Sequence, residues 1–183
     1  LSNLGHPAFV VIEGVNPKLE SKVSPIATKV IKGSLSALVP GKFGVVVGQD
    51  LANNLGLRMG SHVMLYVPKS DSSPFGMLPR MRQFTVVGIF HVGYQYDSGY
   101  ALINIKDAQA LWQMGTAVTG VQLKLTDLFL APKMTNYLNR TLPPGYESYS
   151  WVDQNANFFR ALKMEKVMMF LILVLIIAVA AFN

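Results

Sequence analysis

Residues 167–182 read VMMFLILVLIIAVAAF, sixteen apolar residues without a break, and from Asp153 to Phe182 there is neither Gly nor Pro. Such a stretch is a helix with no polar face, so it must be covered by protein or by lipid. A spanning helix takes about 20 predominantly apolar residues and a buried core helix about 10 to 14. Sixteen lies between these, and the run stops only at Asn183, so the expectation is a transmembrane helix cut short by the end of the chain. The residues before it, 153–166, are amphipathic, with Phe158, Phe159 and Leu162 set against Arg160, Lys163 and Lys166. One unbroken helix from Asp153 is expected, about 45 Å long at 1.5 Å per residue, a rod able to carry force between a bilayer and a domain.

The remainder reads as a normal soluble domain. The apolar fraction of 51% over 183 residues is inflated by that terminal run, and the rest is long enough for one core or two small subdomains. The absence of Cys removes disulfides and thiolate metal sites and leaves the redox compartment open. No initiating Met, charged n-region or signal peptide opens the chain at Leu1, which is expected to lie inside a longer protein. Sixteen Lys and Arg against ten Asp and Glu give +6, a balance suited to an anionic lipid surface, an acidic protein or nucleic acid. Nucleic acid is excluded as the partner, because no basic cluster is interleaved with aromatic stacking residues or carried on a binding motif.

The most distinctive stretch inside the domain is residues 69–82, KSDSSPFGMLPRMR. It separates two runs rich in β-branched and aromatic residues, HVMLYVP (62–68) and QFTVVGIF (83–90), which together predict a hairpin. Hairpin loops usually take about two to five residues, and longer unstructured ones are commonly functional or disordered. The first half is small and polar (Ser70, Asp71, Ser72, Ser73), whereas the tip carries Pro74, Phe75, Met77, Leu78 and Pro79 around Gly76. The prolines lower the entropy lost on docking, and Gly76 supplies a turn that other residues resist. Lys69, Arg80 and Arg82 against Asp71 make the base locally basic. Two readings follow: a variable surface loop folded back on its own domain, or a preformed hook that inserts apolar side chains into a partner.

Around the hairpin, a mixed α/β (α+β) domain is expected. Residues 8–15 (AFVVIEGV) predict a strand buried on both faces, followed by a short helix or loop broken by Pro25 and Gly33. Gly44 to Val47 predicts a strand, and Gln49 to Leu55 a two-turn helix closed by Gly56. Downstream, residues 100–105 predict a strand, and Asp107 is expected to cap a helix whose Ala108, Leu111 and Trp112 share a face. Alternation predicts a half-exposed strand at 120–125, Pro132 opens a helix to Leu142, and 146–151 predicts an edge strand. Phe9, Val11, Val46, Val86, Ile89, Ile103, Val121 and Leu123 are the expected core.

Catalytic chemistry is poorly provided for. His6, His62 and His91 are isolated in sequence, and no His or carboxylate pair has metal-ligand helix spacing. The glycines at 41, 44 and 48 lack the Lys-Ser or Lys-Thr of a phosphate loop, and Ser34 and Ser36 have no visible triad context. No catalytic, metal or cofactor residue is assigned, and binding and motion are the expected business of the domain.

Three blocks carry a resemblance: VVVGQDLANNLGLRMGSHVMLYVP, SSPFGMLPRMRQFTVVGIF and MEKVMMFLILVLIIAVAAFN. Together they cover most of the chain and resemble the LolC/LolE family, membrane subunits of the lipoprotein-releasing ABC transporter, most closely the hook-bearing LolC type. The resemblance implies a MacB-like periplasmic domain fragment over residues 1–152 with its N-terminal part missing. A stalk helix over 153–166 and the start of a transmembrane helix over 167–183 would follow. It implies a Gram-negative inner-membrane protein with no cofactor on this chain and ATP on a partner ATPase subunit, LolD. A second membrane subunit, LolE-like or another copy, would complete the assembly. Lipoprotein cargo would be released from membrane lipid and handed to the periplasmic carrier LolA.

By the same resemblance, Pro74, Phe75, Gly76, Met77, Leu78 and Pro79 would form the carrier-binding hook. Arg82 would lie on an adjacent basic pad, whose other aligned positions, Met64 and Met81, are apolar here. One signal runs the other way: Arg160, Lys163 and Lys166 would favour a cytoplasmic flank by the positive-inside tendency, where the resemblance implies a periplasmic one. Two other readings stay open, a MacB/FtsX-like mechanotransmission subunit acting on another periplasmic partner, and a membrane-anchored enzyme in which His62 or His91 meets carboxylates.

Overall fold

The computed structural model describes residues 1–3, 6–67, 80–93 and 95–182. The chain divides into two units, Leu1–Leu123 and Lys124–Asn183.

In the first unit, three consecutive valines decide the layering. Strand β5, Gly44–Gly48, is buried along its whole length. Its alternating side chains feed two separate cores, Val45 and Val47 on one face and Val46 on the other. A strand covered on both faces reads as a continuous apolar run, which is why the alternation of a half-exposed strand is missing here. The other strands are β1 (Ser2–Asn3), β2 (His6–Pro7), β3 (Val11–Val15), β4 (Val30–Gly33), β6 (His62–Val67), β7 (Arg80–Phe90) and β8 (Tyr100–Asn104). They join β5 in one mixed sheet of order β2-β1-β6-β7-β5-β8-β3, with β4 paired to β7 off this path. Strands β5 and β7 run parallel, as do β3 and β8, whereas β5 and β8 run antiparallel.

Helices α2 (Gln49–Asn54) and α4 (Ile105–Trp112) contribute to the larger core. Leu51 and Leu111 pack there with Leu65, Phe84 and Ile103. On the opposite face, Val15, Val46, Phe90 and Leu102 cluster with Ile26 of the 3-10 turn Pro25–Lys29, Leu35 of the turn Leu35–Ala37 and Leu38 just after it. A short helix α1, Pro17–Val23, precedes them, capped by the Asn16 side chain. The two-turn helix closed by Gly56 is present, with Gly56 at φ +63.

Helix α3, Gln95–Gly99, was not expected. It returns so close to β5 that a Cβ on Gly48 would meet the Asp97 carbonyl oxygen at 2.2 Å. Asp97, buried, accepts from the backbone N–H groups of Val92 and Gly93 and closes the turn.

Several expectations are corrected. Strand β3 is an edge strand whose only ladder among the described residues is with β8. Only Val15 in it is buried, and Phe9 and Val11 are exposed. Residues 120–125 are irregular, with Val121 and Leu123 exposed. Alternation supplies an apolar face, but a strand also needs a partner for its backbone groups, and none of the described strands pairs with this segment. Asp107 is not the cap of α4; the strand passes straight into the helix, so Asn104 takes that place, accepting from Lys106 N while donating to Leu38 O.

The second unit begins with a 3-10 turn, Leu128–Leu130, and α5, Ala131–Thr141. The chain after α5 is tied back by Asn139, whose side chain accepts from Ser148 N and donates to Ser148 O. Residues 146–151 form no strand, because Ser150 and Asp153 build a capping box that starts α6, Trp151–Gln154. The unbroken helix expected from Asp153 is interrupted at Asn155, whose side chain donates to Trp151 O and competes with the helical ladder. Helix α7 then runs Ala156–Phe182, 27 residues and about 40 Å at 1.5 Å per residue.

The contrast between a buried core ring and an expected core position that proves exposed is directly testable. Phe84→Ala removes a fully buried ring and is expected to destabilise by about 3–5 kcal/mol. Val121→Ala, at a position 80% exposed, is expected to stay within about 0.5 kcal/mol of the parent. Chemical denaturation of the two variants checks both, and a comparable loss in Val121→Ala would contradict the burial pattern.

Candidate partner-binding site at the base of the hairpin

The expected hook, residues 74–79, lies outside the described residues, as does the rest of the connection from 68 to 79. Its base is described. Strands β6 and β7 pair antiparallel from His62↔Thr85 to Val67↔Arg80. Strand β7 therefore starts three residues earlier than the sequence pattern suggests. Beyond Thr85 the hairpin outruns the sheet on its other side, because the β5 ladder begins at Gly44↔Thr85.

The register sorts the pad positions onto two faces. Leu65 lies opposite Arg82, and Leu65 is in the core shared with α2 and α4. Tyr66 lies opposite Met81 and Met64 opposite Gln83, on the other face. Arg82 is thus separated from Met64 and Met81 by the thickness of the sheet. Tyr66 and Met81 are exposed and leave their face partly apolar.

Two arginines project on the α4 side and are held differently. Arg80 donates through Nη2 to Gln113 Oε1 at 2.6 Å and through Nη1 to Leu111 O at 3.4 Å. Those acceptors lie at the C-terminal end of α4, where unpaired carbonyls favour a cation. The Arg82 guanidinium sits over the Phe43 ring, 4.1 Å from its centroid. Phe43 in turn meets Phe84 edge to face at 5.5 Å. Phe43, Ala110 and Leu111 line a shallow groove between β7 and α4 together with the two arginines.

Phe43 escaped the sequence reading, and Asp107 enters it only as a helix cap. Phe43 has φ +49, a left-handed conformation that costs a non-glycine residue about 1–2 kcal/mol. Asp107, buried on α4, accepts from Gly41 N at 2.6 Å and Phe43 N at 3.2 Å and holds that turn. The aromatic residue just before a glycine and a β-strand was the available signal, but its backbone sign is not written in the sequence.

Among the described residues, His62 and His91 assemble no visible site. His62 Nδ1 lies 3.2 Å from Thr85 Oγ1. His91 does meet a carboxylate, Asp97, at 2.6 Å, within the turn that Asp97 closes. No group of three or more potential metal ligands occurs among the described residues.

Helix α7 is the second candidate element. It is long and apolar enough to cross a membrane, with mean hydropathy 2.5 in its most apolar window and none of that window buried. A core helix of a soluble protein would be covered, and this one is not.

A mixed α/β domain followed by an uncovered apolar helix long enough to span a bilayer is the architecture of a membrane protein. No family model matches the chain. It is 40% identical over 94% of its length to the lipoprotein-releasing system transmembrane protein LolC of Xylella fastidiosa strain Temecula1, covering 42% of that protein. It is 39% identical over its whole length to LolC of Neisseria meningitidis serogroup B, covering 45%. To LolE of Haemophilus influenzae it is 27% identical over 95% of its length, covering 42%. A permease-protein domain of Porphyromonas gingivalis aligns over 76% of this chain and 68% of its own at 14% identity with a TM-score of 0.31, too low to carry an argument. The chain belongs to the LolC/LolE family and spans less than half the length of these relatives.

Asp107→Ala leaves two backbone N–H groups without their acceptor and is expected to cost about 1–3 kcal/mol. Asp107→Asn keeps an acceptor oxygen and is expected to cost less. Urea unfolding of the two variants measures the difference, and equal midpoints with the parent would deny Asp107 its part in the turn.

Proposed function

We propose that this chain belongs to a membrane subunit of a lipoprotein-releasing ABC transporter and that its hairpin receives the periplasmic carrier LolA. On this reading the domain faces the periplasm, α7 enters the inner membrane, and ATP is hydrolysed on a separate subunit, LolD, with no cofactor on this chain. A second membrane subunit, LolE-like or another copy, completes the pair, and lipoprotein cargo passes between them to the carrier.

The single observation that carries the reading is the base of the hairpin. It is paired to its last described rung, Val67↔Arg80, and bears two arginines held, among the described residues, by Gln113, Leu111 and the Phe43 ring. A stiff base of that kind can present a tip whose sequence holds Phe75, Met77 and Leu78 between two prolines. Membership of the LolC/LolE family agrees with it.

Burial of one such side chain in a partner's pocket is worth roughly 1.5–3 kcal/mol. Phe75→Ala or Leu78→Ala is therefore expected to weaken LolA binding by about tenfold or more, and Ser72→Ala to leave it unchanged. Deleting residues 74–79 from the full-length subunit should abolish carrier capture while the core strands stay folded. Surface plasmon resonance with immobilised LolA measures both, and full affinity in a folded deletion variant would refute the hook.

Helix α7 would transmit motion, since it runs without interruption from Ala156 to Phe182. A proline in a helix interior costs about 3 kcal/mol or more and kinks it. Met164→Pro is expected to uncouple lipoprotein release from ATP hydrolysis while carrier binding persists. Unchanged release in reconstituted vesicles would remove this lever.

A further inference from the structure

Arg82 has an unusual support. Among the described residues its guanidinium has no carboxylate within ion-pair distance, and its partner is the ring of Phe43. That ring is placed by a backbone turn that an aromatic residue seldom adopts. The turn is closed from a distant element, the buried Asp107 of α4, through Gly41 N and Phe43 N. A second backbone bond, from Thr85 N to Phe43 O, fastens the same residue to β7 three positions beyond Arg82. Strained backbone that is held in place by several independent contacts is a mark of functional placement rather than of simple packing.

We propose that Phe43 is a positioning residue for Arg82. The ring fixes the plane and location of the guanidinium and leaves its edge N–H groups free for a carboxylate of the docking protein. A planar guanidinium held on an aromatic face loses less freedom on forming a paired contact with a carboxylate than a solvated side chain would. The neighbouring Arg80 is held differently, drawn toward the end of α4 by its bonds to Gln113 and Leu111. The docking protein is accordingly expected to bring an acidic side chain to this spot. This inference rests on the reading of the hairpin as the carrier-binding element.

The test uses the full-length subunit in lipid nanodiscs, labelled with ¹⁵N-arginine, as parent, Phe43→Leu, Phe43→Tyr, Arg82→Ala and the Phe43→Leu/Arg82→Ala double variant. Two quantities are read: the Nε–H order parameter and ring-current shift of Arg82, and the association rate with LolA as a function of salt. Phe43→Leu is expected to lower the order parameter, erase the ring-current shift and slow association about two- to fivefold, the worth of one exposed cation–π contact. It should also flatten the salt dependence. Phe43→Tyr, which keeps the aromatic face, should restore all of these, and Phe43→Leu should add nothing in the Arg82→Ala background.

Unchanged Arg82 signals in Phe43→Leu, or the same slowing in the absence of Arg82, would overturn the proposal. Arg82→Ala associating at the parent rate, with Arg82 signals still responding to Phe43, would overturn the docking role of Arg82 while upholding the ring as its support.

Discussion

The hydrogen-bond ladder along β7 is the constraint on which the first unit depends. Its eleven residues are paired antiparallel to β6 through the first half and parallel to β5 through the second, and β4 pairs beside Gly88 and Phe90. A strand that long must find partners for its backbone groups on both sides, because buried unpaired amides and carbonyls are costly. Where β5 stops, the burden passes to Phe43, whose carbonyl accepts from Thr85 N. The site is therefore built at the point where the sheet runs out. There the hairpin keeps its own pairing but loses a lateral strand, and side chains from α4 and the 41–43 turn take the place of that strand.

Placement on two faces gives the base of the hairpin two chemical characters. The α4 side carries Arg80 and Arg82 over apolar groups. The opposite side exposes Tyr66 and Met81. A partner gripping the hairpin from both sides would meet charge on one and apolar surface on the other, a combination in which the charge governs encounter and the apolar contact governs residence. The overall excess of six positive charges acts in the same sense for an acidic partner.

What could be read in the sequence was what local grammar decides. The valine-rich β5, the two hairpin strands, the Gly56 helix stop and the proline-initiated α5 follow from residue types acting over a few positions. Alternation misled at 120–125 and 146–151 because periodicity describes a face and not a partner. In the second case Ser150 and Asp153, three apart, had already committed the chain to a helix start. The continuity of residues 8–15 suggested burial on both faces, but an edge strand with one ladder exposes Phe9 and Val11. Asp107 has the composition of a cap and sits in the first turn, yet Asn104 is one residue ahead of the helix and takes the cap. Most of the candidate site was hidden for a related reason. The side of the sheet on which Arg82 emerges depends on register, and its contact with Phe43 joins positions nearly forty residues apart in the chain.

The central claim is that the base and tip of the hairpin form the surface on which a periplasmic protein docks. A photo-crosslinking residue placed at Met81 in the full-length protein, with a matched one at Val121, which is more exposed still, tests it in intact cells. The account predicts a covalent adduct with the carrier from position 81 and none from position 121. Adducts of equal yield at both, or a carrier adduct at 121 alone, would contradict it.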